Sequence, residues 1–299
     1  MRCRRVLPEP GSRKGRPRSS TRPACALRLV LLLALLFGPA LTGAAFAYDI
    51  VSGETRLALV IGNSSYRTAP LRNPINDAQA VASALKDLGF QVMLRENTSQ
   101  RELLDSMREF SRRAAKSQVR LLFYAGHGVQ IKGRNYLMPV DADVQTEDEI
   151  VAKGADITEL LDRLGTIPDG VNLVVLDACR NNPFLPSPAQ LADARRLRTR
   201  GLGPQAAGLA PLQAPSGTLI AFSTAPGSVA IDNPQQQNSV YTKHLLANLR
   251  MPGMPIERMF KRVRVEVAQE TQQQQVPWET SSLMGEFCFR TDTTGKCSG

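Results

Sequence analysis

Histidine is the scarcest reactive residue in this sequence, with only His127 and His244 in 299 residues. Neither sits near cysteines at metal-ligand spacing, which argues against a zinc site of the His/Cys type. Cysteine is almost as sparse: five occur, and Cys3 and Cys25 precede residue 47. Beyond that point Cys179, Cys288 and Cys297 remain, an odd number, so disulfide formation leaves at least one thiol over. A bridge between Cys288 and Cys297 would leave Cys179 as that thiol; the sequence leaves the pairing open. Charge of one sign is also lacking once the N-terminus is set aside. Residues 1–28 hold nine of the 37 basic residues and one of the 27 acids. The rest of the chain therefore carries 28 basic and 26 acidic residues, a net charge of +2 against +10 overall. So weak a field offers no footprint for nucleic acid.

Long hydrophobic runs are missing except for one. Residues 29–37 are uninterruptedly apolar, too few to span ~30 Å of hydrocarbon as a helix. They follow the basic stretch and precede Ala45-Phe46-Ala47, the order of a secretory signal peptide over 1–47. Cleavage near Ala47 predicts a periplasmic or secreted protein. Read on through residue 47, the same segment becomes an uncleaved anchor, the one membrane attachment the sequence offers. The remainder is long enough for a single α/β domain with a well-buried core.

Short apolar runs at 57–61, 90–94, 119–124, 173–176 and 218–222 read as strands buried on both faces, which favours a parallel sheet. Helical stripes lie between them. After Pro74 the apolar residues Ile75, Ala78, Val81, Ala82, Leu85 and Leu88 fall on one face and stop at Gly89. Ser99 and Glu102 form an S-x-x-E capping box before a second stripe. Further helices are predicted at 157–164, at 241–249 and from Ile256. The alternation predicts an α/β three-layer sandwich, a mostly parallel central sheet with helices on both faces. Chemistry in such folds gathers at the C-terminal strand ends. Residues 128–138 read as a hairpin around Lys132-Gly133-Arg134. The acids Asp141, Asp143, Glu147, Asp148 and Glu149 read as a solvated loop. Residues 181–216, with six prolines and four arginines, read as a long surface loop. Trp278, the only tryptophan, reads as a core aromatic, with a cleft wall as the other account.

Two predicted strands end in reactive residues: Phe123-Tyr-Ala-Gly-His127-Gly128 and Val175-Leu-Asp-Ala-Cys179-Arg180. Singly, each is more simply a structural residue. Together they would emerge at one edge of a parallel sheet, where a nucleophile and its base must meet. A thiol with a pKa near 8.5 is only a few per cent ionised at neutral pH and needs a nearby imidazole. Gly128, having no Cβ, could offer its N–H to an oxyanion, with the Cys179 N–H as second donor.

These segments resemble the caspase-like cysteine peptidases, nearest the metacaspase-like proteins of bacteria (orthocaspases). The resemblance covers about 56–290. It is carried by Leu59-Val-Ile-Gly-Asn-Ser-Ser-Tyr66, Leu71-Arg-Asn-Pro-Ile-Asn-Asp77-Ala78, Tyr124-Ala-Gly-His127-Gly128, Asp177-Ala-Cys179-Arg180 and Gln275-Val-Pro-Trp278-Glu279. The 52 residues from His127 to Cys179 are similar to the roughly 50 of caspases. The resemblance implies a peptidase domain over 53–290 with 181–216 inserted and 291–299 as a tail. It implies a cysteine endopeptidase cutting after Arg or Lys in peptide or protein substrates, with catalytic His127 and Cys179. Asp77 and Asp177 match the family's substrate-binding acids; the plainer accounts are a first-turn helix acid and a ligand of loop amides. Self-processing at Arg195, Arg196, Arg198 or Arg200 is implied, against a merely solvated basic loop. No cofactor is required, although calcium serves several metacaspases and the acids at 141–149 are oxygen donors. The rival reading is a catalytically silent caspase-like binding module.

Overall fold

Alternation of side chains along five buried strands builds two cores, one on each face of a single sheet. The computed structural model describes residues 55–179, 209, 211–225 and 236–297, the side chain of Cys179 excepted. The 1–47 leader, residues 181–208 and the four arginines at 195–200 lie outside the described residues. The strands are β1 (Arg56–Gly62), β2 (Phe90–Glu96), β3 (Val119–Ile131), β4 (Arg134–Leu137), β5 (Ala155–Asp156), β6 (Val171–Cys179), β7 (Thr218–Phe222) and β8 (Trp278–Ser281). The helices are α1 (Pro74–Asp87), α2 (Gln100–Ala114), α3 (Glu147–Lys153), α4 (Ile157–Gly165), α5 (Val240–Leu249) and α6 (Ile256–Glu270). The sheet runs β2-β1-β3-β6-β7-β8, parallel throughout except for antiparallel β8.

One face of the sheet, with Ala58, Val60, Leu121, Phe123, Leu173 and Val175, packs against α1, α5 and α6. The other, with Leu59, Ile61, Leu122, Val174 and Ile220, packs against α2 and α4. This is the three-layer α/β sandwich that the alternating pattern predicts. α2 starts at the expected capping box: Ser99 accepts from the Glu102 N–H while Glu102 accepts from the Ser99 N–H. The predicted hairpin is β3–β4, closed at the pair Ile131 and Arg134. Lys132 and Gly133 both have positive φ, 49° and 82°, as a two-residue turn of this hand requires.

The structure departs from the sequence reading in four places. The acidic loop is partly helical, because Thr146 and Glu149 form a second capping box and place Glu147, Asp148 and Glu149 in the first turn of α3. β8 was not legible, since its four residues are largely exposed and depend on β7 for their pairing. Trp278 lies on that edge, 48% exposed, and is not a core residue. The surface-loop reading of 181–216 fails at its end, where Leu209 and Leu212 are buried among the α2/α4-side core residues.

α5 is tied to α6 by a charged cluster. His244 places Nδ1 3.1 Å from Glu266 Oε2 and Nε2 2.7 Å from Glu270 Oε2. Lys243 bonds Glu270, and Arg262 and Asn248 bond Glu266. The Lys243 hydrogen bond holds the Glu270 carboxyl below its ordinary range, opposed by partial burial and aided by His244. A carboxyl depressed in the folded state contributes stability above its unfolded pKa, about 4.3, and loses it as pH falls through the folded value. Urea melts at pH 6, 4.5 and 3 should therefore show the wild-type midpoint falling through this window. Glu270→Gln should flatten part of that fall, and an identical pH profile in the variant would remove Glu270 from the account.

Candidate functional site

β3 and β6 are neighbours, paired through nine positions from Val119 opposite Val171 to His127 opposite Cys179. Adjacent strands lie about 4.8 Å apart. The two residues that the sequence places at strand ends are therefore direct cross-strand partners at the C-terminal edge of the sheet. Asp177 stands two positions back on β6, opposite Ala125.

His127 is 3% exposed, and the loop between β1 and α1 surrounds it. Its Nε2 lies 2.7 Å from the carbonyl oxygen of Ala69. A carbonyl only accepts, so Nε2 carries the proton and, in the neutral ring, Nδ1 is the basic nitrogen. Ala69 has φ 54°, a left-handed conformation that costs a non-glycine residue on the order of 1 kcal/mol or more. The strained residue is the one that delivers this carbonyl. The loop is also held from just past β2, where Asn97 Oδ1 accepts the N–H groups of Ser64 and Ser65, both at 2.9 Å.

The backbone at His127 is equally defined. Its C=O accepts from the Met138 N–H at 3.0 Å, on the edge where Ala125 accepts from Asn63. Strand alternation then turns the Gly128 N–H to the opposite edge, the one occupied by β6. A Cβ on Gly128 would come within 3.1 Å of both the Ala178 Cβ and a Leu209 methyl, so the position is tight as well as permissive. Gly126 is more constrained: its ideal Cβ would lie 2.5 Å from the Tyr66 Oη and 2.8 Å from the Tyr124 Oη. Burial pushes the Tyr124 hydroxyl far above the ordinary phenol range, so it stays neutral.

Asp77 and Asp177 are both buried, 1% and 8% exposed, and they meet at the N-terminus of α5. The Ser239 N–H donates to Asp77 Oδ1 at 3.0 Å, and the Ser239 hydroxyl donates to Asp177 Oδ2 at 2.5 Å. Asn238 adds a second bond to Asp77, and Thr242 a second to Asp177. Ser239 also accepts from the Thr242 N–H as the helix cap. Asp77 is thus a first-turn acid of α1, as the plainer account has it, but one whose Oδ1 reaches across to the N-terminus of α5. Donors and the positive end of α5 offset the cost of burying two carboxylates.

His127, Cys179 and Gly128 were named in the sequence from residue type and strand position, and Asp77 and Asp177 from the resemblance; Ala69, Asn238, Ser239 and Thr242, which bond them here, were not named. Ser239 carried a signal, a serine just before a helical stripe. Ala69 carried none, because it acts through its backbone. Asp141 accepts from the Gln100 N–H and Glu149 serves the α3 capping box. Among the described residues no group of three His, Cys, Asp or Glu side chains is arranged to hold a metal.

The chain matches the caspase domain over residues 55–288. It is 30% identical over 145 residues to human mucosa-associated lymphoid tissue lymphoma translocation protein 1, and equally to the mouse homologue. Each match covers 48% of this chain and 17% of the relative, so the shared segment is a small part of those proteins.

The Gly126 geometry has a direct consequence. Gly126→Ala must displace two buried tyrosine hydroxyls, an overpacking cost of about 1–3 kcal/mol. In a domain of this size that lowers Tm by roughly 3–10 °C. A thermal melt matching wild type would mean that the hydroxyls yield without cost.

Proposed function

This chain belongs to the caspase-domain family of cysteine peptidases, and from that premise we propose that it is an endopeptidase cleaving after Arg or Lys through Cys179 and His127. The observation that carries the reading is the cross-strand pairing of His127 with Cys179, together with the Ala69 carbonyl on Nε2. With Nε2 protonated, Nδ1 takes the thiol proton as sulfur attacks the substrate carbonyl. The developing oxyanion is assigned to the Gly128 and Cys179 N–H groups, which the last pair of the β3–β6 ladder must release to it. Collapse breaks the C–N bond, and the imidazolium gives its proton to the departing amine. Water, deprotonated by His127, then attacks the thioester, releasing the carboxylate product and restoring the thiol.

The preference for a basic residue rests on Asp77 and Asp177, two buried carboxylates brought to one serine beside β6. A guanidinium suits paired carboxylates because its fork donates to both. The arginines at 195, 196, 198 and 200 are then candidate self-processing sites. Export is supported by the basic–apolar–Ala45-Phe46-Ala47 order and by the disulfide between Cys288 and Cys297, a bond typical of oxidising compartments. No catalytic step here uses a metal.

Fluorogenic peptides ending in Arg, Lys or Asp test the proposal. Turnover should appear with Arg and Lys and be absent with Asp. Cys179→Ala and His127→Ala should each lose at least about 10³-fold in kcat/KM. Asp177→Asn and Asp77→Asn should lose about 30-fold or more on Arg substrates, chiefly through KM. A folded wild type that neither turns over these peptides nor is labelled by an Arg-directed thiol-reactive probe would favour the silent binding module.

A further inference from the structure

In a regular antiparallel ladder, a hydrogen-bonded residue pair exchanges two direct backbone bonds. Just past the last pair of the β3–β4 ladder, Gly128 with Leu137, the next two residues across from each other break this rule. The Met138 N–H reaches the His127 carbonyl directly at 3.0 Å. The reciprocal bond is diverted: the His127 N–H donates to the Tyr66 hydroxyl at 2.9 Å, and that hydroxyl lies 3.2 Å from the Met138 carbonyl. A side-chain oxygen has been inserted between the strands, next to the Tyr124 hydroxyl at 3.1 Å. Gly126 supplies the room, since any Cβ there would strike both hydroxyls.

The same tyrosine also meets the imidazole. The Tyr66 and His127 rings lie 4.3 Å apart between centroids, tilted by 48°. Three residues later, the Ala69 carbonyl accepts the hydrogen bond from Nε2–H. One short stretch, 66–69, therefore grips His127 by its backbone N–H, its ring face and its distal nitrogen. The diverted bond falls at the residue whose ring must hold one tautomer.

We propose that Tyr66 is a positioning residue for His127: its hydroxyl sets the β3 backbone apart from β4 at that residue, and its ring fixes the imidazole plane so that Nε2 stays on the Ala69 carbonyl. The role rests on the proposed peptidase reading, in which Nδ1 is the working base. Tyr66 acts through the backbone and ring plane of His127 and exchanges no proton in the proposed steps. Without the hydroxyl, the His127 N–H closes onto Met138, the ring shifts relative to Ala69, and the tautomers mix. Displacements of about 1 Å in a catalytic group cost on the order of 100-fold.

The test compares Tyr66→Phe, Tyr66→Leu and Tyr124→Phe with wild type. Tyr66→Phe should lose 10- to 100-fold in kcat with KM little changed, and Tyr66→Leu should lose more because the ring goes too. Tyr124→Phe removes an equally buried hydroxyl that donates to the His127 carbonyl at 2.8 Å but meets neither the His127 N–H nor the imidazole, so it should leave the tautomer unmixed. Imidazole ¹⁵N spectra give a readout independent of turnover. The chain has only two histidines, and His244→Gln assigns the signals. Wild type should show His127 as one Nε2–H tautomer, and Tyr66→Phe should show a mixture. Equal tautomer mixing in Tyr66→Phe and Tyr124→Phe, or an unmixed tautomer in folded Tyr66→Phe, would overturn the proposal. An inactive wild type with the expected tautomer change would instead sink the peptidase reading and leave the positioning role standing.

Discussion

The register between β3 and β6 is the constraint on which the rest of the site depends. Both strands are buried on both faces, so a slip of one residue would send every apolar side chain into the wrong core. Packing of some twenty strand residues thus fixes the pairing of His127 with Cys179 more firmly than any contact made at the site itself. The strands also end at different points. β1 leaves β3 at Gly62 opposite Ala125, whereas β6 stays paired for two residues more and β3 continues to Ile131. Where β1 departs, one side of β3 is open to another element. The β1–α1 loop enters there and reaches His127 with a carbonyl and a tyrosine.

That loop has no regular pairing of its own, so it is held by individual polar bonds. Asn63 is fully buried and bonds Thr98 and the Met138 carbonyl, while Asn97 holds two successive amides. A site assembled this way combines a rigid part, the strand tips, with an adjustable part, the loop. The acid pair follows the same logic from the other side. Asp177 belongs to β6 and inherits its precision, whereas Asp77 comes from α1, and the cap of α5 ties the two together. The α5–α6 charge cluster then bears on the acids at one remove, by fixing the helix whose first residue follows their shared serine.

Most of the sheet was legible because buried parallel strands leave long apolar runs. Their ends were not. The apolar reading stops β6 at 176, but pairing with β3 carries it through Asp177 and Ala178 to Cys179, since the ladder satisfies the backbone whatever the side chains. β3 likewise runs on through Ala125-Gly126-His127-Gly128, a stretch that looks like a strand tip and proves to be mid-strand. α3 was hidden by its acids, although Thr146 and Glu149 spelled its cap. Trp278 misled through its size: a lone tryptophan suggests a core, and here it sits on an edge strand. Within the site, side chains with distinctive chemistry could be named from sequence. Groups that act through a carbonyl or a cap could not, because Ala69 and Ser239 become special only once other elements are brought to them.

The C-terminus adds a chemical condition for a reactive thiol. A thiolate able to attack a carbonyl is also able to attack other sulfurs, and a chain with several thiols can exchange within itself. Cys288 and Cys297 are bonded to each other, and Cys288 is fully buried between Phe287 and Phe289. Those phenylalanines pack at the start of β1, where Arg56 lies over the Phe90 and Phe287 rings and donates to the Phe289 carbonyl. β1 spans roughly 20 Å from Arg56 to Gly62, so the tail disulfide is locked at the edge of the sheet opposite to the site. Of the three cysteines after residue 47, the two outside the site are thereby removed from exchange. Of those three, Cys179 is the cysteine outside that bond, at the end of β6 and opposite His127 in the ladder.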